Sequence, residues 1–580
     1  MAEQTGTTME KIVALCKRRG FIFQSSEIYG GIGGFWDYGP LGCELKRNIK
    51  EAWWQDMVRN PPLGPKGVEF QMVGVDCAII MNSKVWVASG HVGGFKDPMV
   101  ACKADGCKKL FRADQVWTVE LLPEGVYDET GFDASFTKEG FSLAVRDISL
   151  MKNRRTWIAS TQVDGVAEAL NDVESAINRA GKQFKSAQLK STRVVARAQK
   201  HTLALFKAVD DDGNRYQGVV SRLDAIPRSQ FPDSPNRNIA GPCPVCGGDL
   251  TDLREFNLMF DTHTGALREE ANRVYLRPET AQGIFVNFKN VMDSSRVKIP
   301  FGIAQIGKAF RNEINPRNYT FRSREFEQME IEFFCKPDEL CADGEPTAME
   351  WYEFWRNTRI KWYESLGIRS DKLRPRQQGA EELAHYSRAC TDIEYMFPFS
   401  NEPQELEGVA HRGSFDLNQH GKFARGDENA FAVIDDETKK KYVPHVIEPS
   451  AGADRFTLAV ITEAYTVDET RASPEFMRFH PRLAPIKAAV FPLVAKDGLP
   501  EIAEPIYRAI KTQFPAQYDA KQSIGKRYAR MDEAGTPFCF TIDGQSKEDG
   551  TVTVRNRDDA SQSRIDRSRC LDYLRDKLTV

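Results

Sequence analysis

The densest reactive chemistry lies in FRNEINPRNYTFRSREFEQMEIEFF, residues 310–334, which sets Arg311, Glu313, Arg322, Arg324, Glu325, Phe326 and Glu330 close together. A strand–loop–strand hairpin would bring Arg311 and Glu313, two residues apart, onto one face. Arg322, Phe326 and Glu330 recur every fourth residue, so an extended strand would set these on one face too. Buried charges are costly unless paired, and an array of guanidinium forks and carboxylates suits a polyphosphate and an amine better than an apolar core. The same pattern also fits a solvated ladder of salt bridges on an edge hairpin.

A second segment, VIEPSAGADRFTLAVI (446–461), reads as a strand running into a helix with Arg455 near the junction. Alone, an arginine there is an ordinary surface residue. Cys102-x4-Cys107 and Cys243-x2-Cys246 form two cysteine pairs with Gly106, Pro242, Gly247 and Gly248 beside them. Two such knuckles suit a tetrahedral, structural Zn²⁺ whose four ligands all come from protein; four free thiols are the alternative. No Ser/His/Asp constellation stands out.

These segments need elements to hold them. Leu41, Leu45, Ile49, Trp53 and Met57 recur every fourth residue with Lys46, Lys50 and Glu51 between them, which predicts an amphipathic helix opened by Pro40. GVEFQMVGVDCAII (67–80) reads as a strand. Residues 112–240 lose periodicity and look like an insertion, within which 178–201 carries Lys182, Lys185, Lys190, Arg193, Arg197 and Lys200 on a helix-compatible stretch. From Leu253 to Glu332 strand-like runs follow one another, broken by a helix at 280–290, without the gaps that parallel crossovers need; a mainly antiparallel sheet follows. Helices are expected near 345–366 and 375–386. From Pro485 a β-α-β-α-β-β-α succession predicts a small α/β domain. The organisation expected is therefore α+β: a first catalytic part at 1–111, an insertion at 112–240, a second catalytic part at 241–484 and an α/β domain at 485–580.

The 310–334 segment resembles motif 2 of the class II aminoacyl-tRNA synthetases: Arg-x-Glu, a loop, then Arg-x-x-x-Phe-x-x-x-Glu, with all five positions filled. The resemblance implies that Arg311 binds the ATP α-phosphate, Glu313 the adenine amino group and Arg322 the terminal phosphate, that Phe326 stacks on adenine, and that Glu330 faces the amino acid. Residues 446–461 look like motif 3, with Arg455 as a further ATP ligand, although Ala453 and Asp454 stand where the family's second glycine is expected. Motif 1 is weaker, because Val75, Asp76 and Cys77 lie where its proline should be; the homodimer it implies is a family expectation. Together with GFWDYGPLG (34–42), SGHVGGF (89–95), YLRPETAQGIF (275–285), ELEGVAHRGSFDL (405–417) and VIEPS (446–450), the match is to homodimer-type glycyl-tRNA synthetases, from about residue 8 to 575.

That resemblance implies a glycine pocket in which Glu279, Glu330 and Glu448 surround the ammonium, Arg412 faces the carboxylate and Ser450 helps close the space where a methyl would sit. Three carboxylates around one cation should each hold a raised pKa until the ammonium arrives. An added methylene would favour the larger competitor by about 1–3 kcal/mol, so alanine has to be excluded by clash. The implied chemistry is attack of the glycine carboxylate on ATP with Mg²⁺, then transfer from the adenylate to the ribose 3′-hydroxyl of tRNA(Gly), with Arg311, Arg322 and Arg455 supplying positive charge and no protein nucleophile. The last domain resembles an anticodon-binding domain, with Arg527, Tyr528 and Arg530 as contact candidates.

Composition is consistent with this. The 580 residues carry 79 basic against 82 acidic side chains, a net charge of -3, so a polyanion would have to be held by local patches. Hydrophobic residues at 41% exclude a disordered chain, and no apolar run of about 18 residues suggests a membrane span. Twelve dilute cysteines and no signal-like start predict a cytoplasmic protein. Two competing readings remain at this stage: a related synthetase for threonine or proline, which Glu279, Glu448 and Ser450 oppose, and a non-catalytic nucleic-acid-binding relative, which the retained ATP residues oppose.

Overall fold

The computed structural model describes residues 2–123, 136–137, 140–141, 156–162, 197–200, 203–209, 215–222, 243–246, 248, 250–251, 253–379, 383–384, 387–436, 438–471 and 473–578. They form two compact units, Met1–His91 with Met259–Val580, and Val92–Leu258.

The first unit is built on a seven-stranded sheet. Its strands in chain order are β1 (Gln71–Gly74), β2 (Phe301–Phe310), β3 (Glu325–Cys335), β4 (Leu373–Gln377), β5 (Ala389–Tyr395), β6 (Gln404–Gly413) and β7 (His445–Gly452). They lie in the order β4-β5-β6-β7-β3-β2-β1, antiparallel except for the β2–β1 pair. This is the antiparallel sheet expected from the closely spaced strand runs. The 67–80 segment contributes only the short β1, and the start of the helix expected at 375–386 belongs instead to Leu373–Gln377, an edge strand whose Pro375 suits the sheet border; residues 380–382 and 385–386 lie outside the described residues.

β3 shows how the sequence assigns its two faces. Met329, Ile331 and Phe333 are fully buried and pack with Trp351 and Trp355 of the Ala348–Ser365 helix and Phe456 of the Ala453–Ala464 helix. The alternate residues Phe326, Gln328, Glu330 and Glu332 therefore point to the opposite face. The Pro40–Trp54 helix lays Leu45, Ile49 and Trp53 into the same core as Met329. It starts at Pro40 as expected, and Gly42 is required within it, because a Cβ there would lie 1.8 Å from the Phe21 carbonyl oxygen. The Ala281–Ser295 and Phe415–Arg425 helices cover the other face at one end, where Ile284, Phe285, Phe288 and Leu417 meet Phe334 and Ile303.

The C-terminal portion has its own core, formed by Ala488–Pro492, Phe538–Ile542 and Thr551–Asn556 strands with Leu499–Lys511 and Cys570–Leu578 helices. Its five-stranded sheet is mixed, and Gln562–Asp566 adds a fifth strand to the four of the predicted succession. Arg527 does not present itself to solvent: it is buried and donates to the carbonyls of Pro492, Asp519 and Leu493. Tyr528 bonds the Thr541 hydroxyl, and Arg530 pairs with Asp519.

The second unit, Val92–Leu258, reaches beyond the 112–240 insertion on both sides. The cause is pairing: Arg254–Asn257 lies antiparallel to Lys96–Ala101, which in turn pairs with Leu110–Arg112. Of the basic stretch 178–201, Arg197–Lys200 is a strand rather than a helix, and the rest lies outside the described residues.

Candidate active site

The polar face of β3 builds the site. Glu330 lies opposite Ser450 across the β3–β7 ladder and opposite Gln305 across the β2–β3 ladder. Glu448 stands two residues from Ser450 on β7, on the same face. The Ser450 hydroxyl donates to Glu330 at 2.7 Å, and the Thr280 hydroxyl donates to its other carboxylate oxygen. Thr280 sits at the N-cap of the Ala281–Ser295 helix but makes no cap bond with its side chain, which is turned to Glu330 instead.

Arg412 is almost wholly buried and organises the far side. It donates to Glu448 at 2.9 and 3.0 Å and, through Nε and the second amino group, to both oxygens of Asp416 at 2.8 and 2.9 Å. Gln282 extends the network from Glu279 to Asp416, and His91 lies 3.4 Å from Glu279.

Burial pushes the Glu448 carboxyl up to about 8 against the pull of Arg412. Burial, then the charge of Glu279, also raises Glu330. Glu279 departs from expectation. Burial alone would raise it, but His91, Arg412 and Gln282 together hold it below the usual carboxylate range, so the three carboxylates do not share one direction of shift.

Sequence reasoning passed over Glu332. It is fully buried, on the same face as Glu330, and carboxylate oxygens of Glu330, Glu332 and Glu448 lie within 4.8 Å of one another. The signal was present, since Gln328, Glu330 and Glu332 alternate strictly with Met329, Ile331 and Phe333.

The residues expected to hold ATP gather where β2 leads into β3. The Arg311 guanidinium lies 5.4 Å from the Phe326 ring, and its Nε donates to the Pro278 carbonyl at 3.1 Å. Arg322 is not on β3, which begins at Glu325, so the shared strand face expected for Arg322, Phe326 and Glu330 holds only for the last two. The loop brings Arg322 back to Glu313 at 2.8 Å. Arg324 ties this loop down, donating to the carbonyls of Glu313 at 2.8 Å and Gly33 at 2.7 Å. Arg455, in the first turn of its helix, stacks 4.7 Å from the Phe321 ring and donates to the Phe321 carbonyl at 3.3 Å.

Asp454, next to Arg455, has a structural role. Its carboxylate accepts from Tyr38 at 2.6 Å, Lys46 at 2.7 Å and the Glu327 backbone N–H at 2.6 Å, fastening the Pro40–Trp54 helix to β3 beneath the site.

In the second unit, Cys102, Cys107, Cys243 and Cys246 have sulfurs within 4.8 Å of one another, with Cys102–Cys246 at 3.4 Å and Cys107–Cys243 at 3.9 Å. A tetrahedron with Zn–S bonds of about 2.3 Å has edges of about 3.8 Å, so the four thiols fit such an ion.

Comparison with known proteins bears on this geometry. Residues 260–472 match the model of the class II tRNA synthetase core domain (G, H, P, S and T), and residues 487–577 match that of the anticodon binding domain. The chain is 46% identical to the glycine–tRNA ligase of Rhodopirellula baltica, over 96% of this chain and 97% of that one. It is 43% identical to the glycine–tRNA ligases of Lachnospira eligens, over 98% of this chain and 99% of that one, and Acetivibrio thermocellus, over 98% of each. With a class II core, an anticodon-binding domain and near-full-length identity of this order, the chain belongs to the glycine–tRNA ligase family of class II aminoacyl-tRNA synthetases.

Proposed function

We propose that the glycine–tRNA ligase activity of this chain runs through a glycyl-adenylate assembled on the polar face of β3. Glycine's carboxylate, already ionised at neutral pH, attacks the α-phosphorus of ATP in line, and pyrophosphate leaves. The ribose 3′-hydroxyl of tRNA(Gly) then attacks the adenylate carbonyl, and AMP leaves. No protein group is consumed, so catalysis consists of positioning and charge.

Arg311 meets the α-phosphate, Arg322 and Arg455 the remaining phosphates, Phe326 the adenine face and Glu313 its amino group. Glu279, Glu330 and Glu448 receive the ammonium, Ser450 closes the pocket, and Arg412 orients the glycine carboxylate while holding Glu448. Mg²⁺ supplies charge on the phosphates. The observation that supports this reading most is the convergence of Glu330, Glu448 and Ser450 on one sheet face, with Ser450 bonded to Glu330 at 2.7 Å. Charging of total tRNA with each of the twenty amino acids tests it: glycine alone should be attached, and attachment of another amino acid or of none would refute it.

Zn²⁺ bound by Cys102, Cys107, Cys243 and Cys246 is part of the same proposal, as a structural ion within the second unit. So is a homodimer, supported by the edge position of β1. No helix among the described residues is long and apolar enough to cross a membrane. We assign the enzyme to the cytoplasm, in keeping with twelve unpaired thiols.

A further inference from the structure

Glu332 is the one carboxylate in the site that receives no hydrogen bond. Both of its oxygens are buried and without a partner, and the residue has no exposed surface. Two hydroxyls and a guanidinium in the site are committed elsewhere. Thr280 and Ser450 give their hydroxyls to Glu330, and Arg412 serves Glu448 and Asp416. An ionised carboxylate in that position would be shut off from bulk solvent and bonded to no protein donor, a costly form of burial.

Like charges crowd it: Glu330 on β3, Glu448 on β7 and Asp416 on the Phe415–Arg425 helix, with Arg412 on β6 as the opposing cation. Burial, followed by the charges of Glu448 and Glu330, drives its carboxyl well above the ordinary range. A neutral carboxyl can instead donate, and the carboxylates of Glu330 and Glu448 lie within 4.8 Å as acceptors.

We propose that Glu332 acts as a neutral carboxylic acid, poised on the buried sheet face to give its O–H to the carboxylate of Glu330, and so positions a group that receives the substrate ammonium. It is a positioning residue and does not touch glycine. This inference rests on the glycine site proposed above. It accounts for how a third carboxyl is kept on the buried sheet face beside Glu330 and Glu448: it contributes a hydrogen-bond donor and no charge.

The test uses the full-length enzyme with Glu332→Gln, Glu332→Leu, Glu330→Gln and Glu448→Gln, each checked for an unchanged unfolding midpoint. Glutamine reproduces a neutral donor of the same shape, whereas leucine has no donor. The expected result in glycine-dependent ATP–pyrophosphate exchange is a glycine KM within about threefold of wild type for Glu332→Gln. A rise of about tenfold is expected for Glu332→Leu, and larger rises for Glu330→Gln and Glu448→Gln. Infrared difference spectra should show a protonated-carboxyl stretch component in the wild type and in Glu448→Gln that is missing from Glu332→Gln. A KM for Glu332→Gln as high as that of Glu330→Gln, or a spectrum in which that stretch is unchanged by Glu332→Gln, would overturn the proposal. Wild-type KM values for both Glu330→Gln and Glu448→Gln would instead refute the glycine-site reading, and the infrared band would still decide the state of Glu332.

Discussion

The Ser450 hydroxyl donates to Glu330 at 2.7 Å directly across the β3–β7 ladder, so one hydrogen bond joins the motif 2 strand to the motif 3 strand at the centre of the site. Neither residue is free to move without the other. A hydrogen bond to a charged group contributes about 1.5–3 kcal/mol. Ser450→Ala should therefore lower kcat/KM for glycine by about tenfold to a hundredfold, while KM for ATP stays near the wild-type value. Steady-state pyrophosphate exchange with each substrate varied in turn checks this.

Arg311 is held beside the Phe326 ring and by the Pro278 carbonyl, where β2 leads into β3. Removing one preorganised donor from a developing charge typically costs about 10²–10³ in rate. Arg311→Ala should lose adenylate formation by at least that factor and retain tRNA binding. A filter-binding measurement beside the exchange assay separates the two.

Glu448 gives the site a pH dependence whose sign follows from its shift to about 8. The folded chain holds a proton that an ordinary glutamate, with a pKa of about 4.3, would release. Stability from this group is therefore fully present below about 4.3 and is lost as pH rises through about 8. Ammonium binding favours the ionised form, so glycine KM should fall over the same rise. Unfolding midpoints and KM between about pH 6 and 8.5 should trend downward together, and Glu448→Gln, which cannot ionise, should flatten the stability trend.

The cysteine cluster predicts one zinc per chain by metal analysis. Cys246→Ser should lower that content and lower the protease resistance of the Val92–Leu258 unit, because a four-thiolate ion contributes folding energy where it binds. Metal content unchanged in Cys246→Ser would assign the ion elsewhere.

Much of this architecture could be read from residue order, and the failures have identifiable causes. β2 and β3 were legible because they are long strands of ten and eleven residues, rich in apolar and aromatic side chains. Glu330 and Ser450 were assigned to one pocket by family resemblance, and their pairing follows from the register. Glu332 was missed because a buried, unpaired carboxylate contradicts the usual rule for charges, and only its place in the alternation betrays it. Asp416 and Gln282 were missed because their partners, Arg412 and Glu279, are brought to them by tertiary packing.

The strand Leu373–Gln377 was misread as helix because it is mostly polar and contains a proline, features that only an edge position permits. Gln562–Asp566 hid for a similar reason, as a largely exposed strand without an apolar alternation. The bounds of the second unit could not be seen from 112 and 240, because the strands that close it, Lys96–Ala101 and Arg254–Asn257, are far apart in the chain.

The central claim is that one sheet face holds the ammonium of glycine beside the α-phosphate of ATP, and isotope exchange between labelled pyrophosphate and ATP reads that event without tRNA. The account predicts exchange that requires glycine, is not supported by alanine, and falls by about thirtyfold or more in kcat/KM for glycine in Glu330→Gln, the scale for truncating one partner of a buried charge pair. Exchange supported equally by alanine, or undiminished in Glu330→Gln, would contradict it.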